Sequence, residues 1–314
     1  MKITRNLLSD GTYSPEAVNF LGQIPRKALF YIPHQLRHPD SIYAFSLGKV
    51  GEAFSNVADA YLSKERECRG NNPTSLEMSD LLKYQENFLR AMQEHLDDCW
   101  LILKTLIDPA SATKTPLFAD RYVIENRLPG AKSFRDALTA YKSTLRIANK
   151  LKHQQGRLRG VAIWLPSGAH LGYFLEEPDA NGTIGPSLEI HPDRGAISFA
   201  RDLGWHLFNV YLCSQKLVSA VSNALEARGL DIQPRVCAND KNWERVVSLA
   251  VRIPTAYFPK ELPKNVASFH RGGSGQTLTI KFPEHVRLTF PAQMQATCST
   301  VVDGHSPSFK VPLP

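Results

Sequence analysis

The sequence predicts a mainly α, α+β fold: a bundle of about four long helices with a β-hairpin insertion at about 157–191, then a small helix-plus-strands module over 231–314. Three observations carry this expectation. Apolar residues recur at spacings of three and four over four long stretches between Ser41 and Arg228. Just after His153 the period changes from 3.6 to 2. Beyond Gly229, short strand-like runs separated by glycine and proline replace the long helical patterns.

Ser14-Pro15-Glu16 marks a short helix, with serine as cap and proline at the first helical position, and the apolar ALFYIP run reads as a packing arm. Leu47, Val50, Phe54, Val57 and Tyr61 line one face of a helix from Ser41 to about Arg66, which Gly70-Asn71-Asn72-Pro73 ends. Ser75 or Ser79 caps the next helix. In it Leu82, Leu89, Leu96 and Leu103 stand at heptad spacing with Met92 and Cys99 between, until Asp108-Pro109 stops it. So short a heptad run, flanked by other amphipathic helices, points to partners within one bundle. His95, beside Glu94, Asp97 and Asp98, reads as part of a hydrated face, and a short helix is expected around Arg121 to Asn126.

A third helix follows Pro129-Gly130. Ser133 is its candidate cap, with Asp136 in capping-box position, and Phe134, Leu138, Tyr141, Leu145 and Ala148 predict one helix continuing to His153. Between Gly130 and Gly160 eight basic residues face one acid, Asp136, although the whole chain is only +7, so the rest is close to neutral. A local excess of this kind is the footprint of phosphate docking, against the alternative of a solvated helix face. Lys142, Lys150, Lys152, Arg157 and Arg159 are the candidate nucleic-acid contacts. On the polar side, Arg146 and His153 lie seven residues apart, about 20° from eclipsing and about 10 Å apart along a helix axis, with Asn149 between them.

An arginine followed after six residues by a histidine near a helix end, in the wording NKLKH, resembles the active-site motif of the HEPN superfamily, helical domains many of which are metal-independent ribonucleases. The resemblance covers the motif helix and the helical layout around it. It implies RNA as substrate, no cofactor or metal, and a homodimer with a composite site. His153 would deprotonate the ribose 2′-hydroxyl or protonate the leaving oxygen, Arg146 would stabilise phosphate charge, and Asn149 would orient one of them. Where the family has a polar residue after the arginine this chain has Ile147, so Asn149 must take that part. The same pattern occurs at Arg90 and His95 and at Arg201 and His206, but five residues of unbroken helix turn each of those pairs by about 140°. Arg201-Asp202 has the polar second residue and makes Arg201 with His206 the runner-up. The other reading is a non-catalytic nucleic-acid- or protein-binding subunit of a larger assembly, such as a bacterial defence or mobile-element system.

After the motif, Leu158 to Leu165 and His170 to Leu175 read as a hairpin, Asp179 to Gly182 as a turn, and Ser187 to Ile190 as a third strand. A long helix is expected over about Ser198 to Arg228, with Gly229 as its stop, and a short one over about Asp240 to Ile253. Strands are expected at Val266 to His270, Thr277 to Phe282, Val286 to Phe290 and Thr297 to Val302. Gly272-Gly273-Ser274-Gly275 has no Gly-Lys-Ser/Thr ending and no following helix, so it reads as a hairpin turn and not as a phosphate loop.

Composition narrows the classes. A charged fraction of 21% with 43% hydrophobic residues is that of a folded domain, not of a disordered chain. No apolar run is long enough for a membrane span or a signal peptide, so a cytoplasmic location is expected. The five cysteines are scattered and never in CxxC spacing, which suggests core thiols. GxSxG, Walker A, dinucleotide-binding and HExxH signatures are absent.

Overall fold

A computed structural model describes residues 1–69, 76–153, 156–165, 168–178, 182, 184–192, 195–233, 236, 240–258, 261, 266–282, 294–299 and 308–313. The fold is mainly α with small antiparallel sheets, as the periodicities predict. Strand β1 (Lys2–Asn6) and the short helices α1 (Leu7–Asp10) and α2 (Ala17–Leu21) precede the first long helix, α3 (Pro39–Cys68). His38 caps α3 by accepting the Asp40 N–H on its ring nitrogen, and Pro39 fills the first turn, where a missing N–H costs nothing. Helix α4 (Ser79–Lys104) runs back against α3, with Phe54 and Phe88 edge to face. The heptad leucines therefore find their partners inside the chain. Ser79 is the first helical residue of α4 and not its cap; its N–H is taken by Glu77. Ser75 and the Gly70-Asn71-Asn72-Pro73 stop lie outside the described residues.

Helix α5 (Ala119–Glu125) leads to the third helix, which the structure divides into α6 (Ala131–Thr144) and α7 (Arg146–His153). Gly130, at φ +82°, makes the turn before α6, and a Cβ there would meet the Ala220 backbone at 2.7 Å. The helix thus begins at Ala131, and Ser133 lies exposed in its first turn instead of capping it. The break falls at Leu145, where Ala148 N–H reaches only three residues back, to the Leu145 carbonyl, at 3.0 Å. Its cause is tertiary: α6 packs on the later helix α8 (Phe199–Glu226) and α7 on α4, and Leu145 at the break is fully buried.

The insertion is a hairpin of β2 (Arg157–Leu165) and β3 (Gly168–Pro178), with Val161 opposite Gly172. The expected third strand is β4, placed at Ile184–Pro186 instead of 187–190. Ser187 to Ile190 form a turn closed by the His191 N–H on the Ser187 carbonyl, and the turn at 179–181 lies outside the described residues. Strand β5 (Ile197–Ser198) also pairs with β3, at Gly172. A Cβ on Gly172 would stand 2.3 Å from the Ile197 carbonyl and from the Phe258 ring, so only glycine permits that approach.

Helix α8 (Phe199–Glu226) is apolar around most of its circumference and is the centre of the bundle. Asp240 caps α9 (Lys241–Arg252), whose Trp243 is buried and donates from Nε1 to the Tyr211 hydroxyl at 2.8 Å. The hairpin of β6 (Ser268–Gly272) and β7 (Thr277–Lys281) turns at the glycine-rich segment and takes β1 as its third strand, with Ile3 opposite Ile280. Trp243, Leu278 and Ile280 share one core with the bundle. Strands β8 (Met294–Ser299) and β9 (Ser308–Leu313) form a separate ladder; the expected strand at 286–290 lies outside the described residues. Among the described residues, no helix is long and apolar enough to cross a membrane.

Candidate nucleic-acid interface

Helices α4, α5, α6 and the start of α7 enclose a cleft of about 640 Å³. Leu96, Trp100, Ile124 and Leu138 contribute its apolar wall, and Arg121, Arg135, Lys142, Arg146 and Asn149 line it together with the acids Asp120 and Glu125. Three sequence-predicted site residues, Lys142, Arg146 and Asn149, therefore meet at one concavity. Because the break at Leu145 precedes Arg146, Arg146, Asn149 and His153 occupy one unbroken helix. All three are exposed, while Ile147, Ala148 and Leu151 bury the other face of α7.

The local charge excess read along the chain is partly cancelled in space. Lys142 pairs with Asp120 of α5 at 3.1 Å, and Arg135 with Asp136 at 3.1 Å. Arg159 forks onto Glu176 through Nε and Nη2, at 3.2 and 3.1 Å. Lys150 is held by Glu177 at 2.8 Å and by Glu189 at 3.0 Å. Burial alone pulls the Lys150 ammonium down, but the two carboxylates outweigh it and leave its pKa raised. Arg146 Nη1 lies 3.3 Å from the other oxygen of Glu189, whose carboxyl is held below its usual range by Lys150 first and then by Arg146. Lys150 and Arg159 thus tie α7 and β2 to β3, whereas Lys152 and His153 are exposed and make no hydrogen bond or ion pair among the described residues. Arg157 is exposed at the start of β2, opposite Glu176 in register. Sequence reading missed these acids because they arrive from a hairpin and a turn up to 43 residues away.

The runner-up pair does not converge. His206 is fully buried, with Nδ1 2.9 Å from the Tyr141 hydroxyl and Nε2 3.4 Å from Asp202 Oδ1. Arg201 turns to Glu261 instead. Asp202, 4% exposed, accepts from the Tyr173 hydroxyl and from Gln85 Nε2, both at 2.7 Å. Burial would raise its pKa, but His206, the Tyr173 hydroxyl and Arg201 together bring it below the usual range. This is a core network joining α4, α6, β3 and α8, closed to a polymeric substrate.

His95 corrects the hydrated-face reading: it is 1% exposed, with Nδ1 2.8 Å from Ser46 Oγ. Burial pushes its imidazole down to about 4, so it is neutral at pH 7. Three residues after Met92 and four before Cys99, it sits on the buried stripe of α4, and that spacing was the available signal. Its counterpart Arg90 points outward to Glu86.

Compared with protein families, curated proteins and solved structures, the chain has no significant match in any of the three.

Proposed function

We propose that the α7 face and the adjoining cleft bind RNA, and that Arg146, Asn149 and His153 cleave it without a metal ion in a cytoplasmic homodimer. The observation that carries this reading is the exposure of all three on one unbroken helix, two of them lining a cleft that also holds Arg121, Arg135 and Lys142. The cleft cations hold phosphates. His153 removes the 2′-hydroxyl proton, the 2′-oxygen attacks the adjacent phosphorus, and the bond to the 5′-oxygen breaks as that oxygen takes a proton from water, giving a 2′,3′-cyclic phosphate and a 5′-hydroxyl. Arg146 offsets charge on the phosphoryl oxygens. One α7 separates the two groups by about 10 Å along its axis, so the histidine of one protomer acting beside the arginine of its partner shortens the span.

The test is cleavage of single-stranded RNA in excess EDTA by the wild type, Arg146→Ala and His153→Ala, with mass measured by ultracentrifugation. Activity in the wild type alone, in a dimer, supports the reading; equal cleavage by all three removes it. A second reading, binding without cleavage, rests on the cations that line the same cleft. Salt-dependent RNA affinity without products supports that one.

Either reading gives Glu189 a part. Its carboxylate lies between Arg146 and Lys150, where a phosphate would dock. Glu189→Gln is expected to raise RNA affinity about threefold to tenfold at low salt, since it frees Arg146 from an exposed pair and removes a negative charge beside Lys150, which Glu177 still holds. Fluorescence anisotropy at two salt concentrations measures this, and unchanged affinity would place the phosphates elsewhere.

A further inference from the structure

We infer that His95, Cys99 and Cys213 form a buried three-donor site for a thiophilic d10 cation, with Zn²⁺ as the expected ion. One ligand atom from each of the three lies within 4.8 Å of the others, and among the described residues no other group of three or more such side chains comes together. The two sulfurs are 3.6 Å apart. With Zn–S bonds of about 2.3 Å, that separation corresponds to an S–Zn–S angle of about 103°, close to tetrahedral. The third donor is prepared as well. Ser46 engages Nδ1 of His95, and Nε2 is buried with no hydrogen-bond partner. A buried ring nitrogen left unpaired calls for an occupant, and a hydrogen bond on the opposite ring nitrogen, here to Ser46, is how a ligating imidazole is oriented. Tyr43 packs its ring 5.3 Å from that of His95.

Charge balance selects a divalent ion. Zn²⁺ entering the site displaces both thiol protons to solvent, and the two thiolates cancel the dication, so the assembly of ion, thiolates and neutral imidazole carries no net charge into an apolar core. His95 and Cys99 stand one turn apart on α4, and Cys213 comes from α8, so the ion would fasten the central helix to its neighbour. All three residues are at most 2% exposed, so a bound ion would be sealed in the core, and a tetrahedral Zn²⁺ would take its fourth ligand from another group. The site is separate from the α7 face, and neither inference depends on the other.

The experiment uses the 314-residue, tag-free chain from minimal medium supplemented with zinc or with cobalt, analysed for metal directly after lysis, with a separate aliquot alkylated for the non-reduced peptides. About one Zn²⁺ per chain is expected by elemental analysis, and the cobalt form is expected to show thiolate charge-transfer and visible d–d bands. Cys99→Ala and Cys213→Ala should lose the metal, Cys68→Ala should keep it, and Ser46→Ala should weaken affinity about tenfold to a hundredfold. Should a cysteine variant fail to fold, the wild-type cobalt spectrum decides alone. Less than a tenth of an equivalent of metal with no cobalt bands, metal retained in both cysteine variants, or a Cys99–Cys213 disulfide in the non-reduced peptides would each overturn the assignment.

Discussion

Asp202→Ala is expected to lower the unfolding free energy by about 3–5 kcal/mol, the usual result of removing one partner from a buried charged network. The lost carboxylate accepts the Tyr173 hydroxyl and the Gln85 amide at 2.7 Å each and faces His206 Nε2, all inside the bundle. Their side chains come from β3, α4 and α8, so three elements lose their shared acceptor at once, and Tyr141 of α6 is linked to it only through His206. Asp202→Asn keeps the shape but offers one acceptor oxygen instead of two, and should cost about 1–3 kcal/mol. Urea denaturation at pH 7 reads both values. Because the folded-state pKa of Asp202 is depressed, its contribution is present above the ordinary carboxylate pKa near 4 and fades as pH falls through the lower folded value. The wild-type advantage over Asp202→Ala should therefore shrink in strong acid. A loss below about 1 kcal/mol at pH 7 would mean the network contributes little beyond packing.

His153→Ala is expected to do the reverse, leaving stability within about 0.5 kcal/mol of the wild type while reducing EDTA-resistant RNA cleavage by about 10²- to 10⁴-fold. His153 is the last residue of α7, exposed, with no hydrogen bond or ion pair among the described residues, so its removal opens no cavity and orphans no partner. A general acid or base is the role such a residue can lose without structural cost. Arg146→Ala should match it in activity, since the Glu189 pair it breaks is exposed on both sides and contributes little to folding. Single-turnover cleavage of a labelled RNA, read beside thermal denaturation of the same samples, separates chemistry from folding. Undiminished cleavage by His153→Ala would remove the histidine from the mechanism. RNA retention with no cleavage in any form would leave the binding-subunit reading.

The long helices were legible because a 3.6-residue period reports one buried face, and α3, α4 and α8 each bury one, whatever they pack against. The β2–β3 and β6–β7 hairpins were legible because short apolar runs flanked by glycine replace the helical spacing. Leu145 shows where that stops. It continues the apolar spacing of its helix faultlessly, yet the helix breaks there because its two halves are drawn to different neighbours. The pairing of β1 with β7 joins residues almost a whole chain apart, and no local pattern encodes it.

Local periodicity and composition by themselves determined a helical bundle with hairpins, the apolar faces, and the exposed stripe of Arg146, Asn149 and His153. Tertiary structure alone decided which charges meet. Glu176, Glu177 and Glu189 fold back onto the basic segment, Arg201 parts from His206, and Cys213 arrives beside Cys99 from 114 residues along the chain. Side-chain period is set within a few residues of backbone, whereas electrostatic and ligand partnerships depend on distances in space that only the packed fold sets.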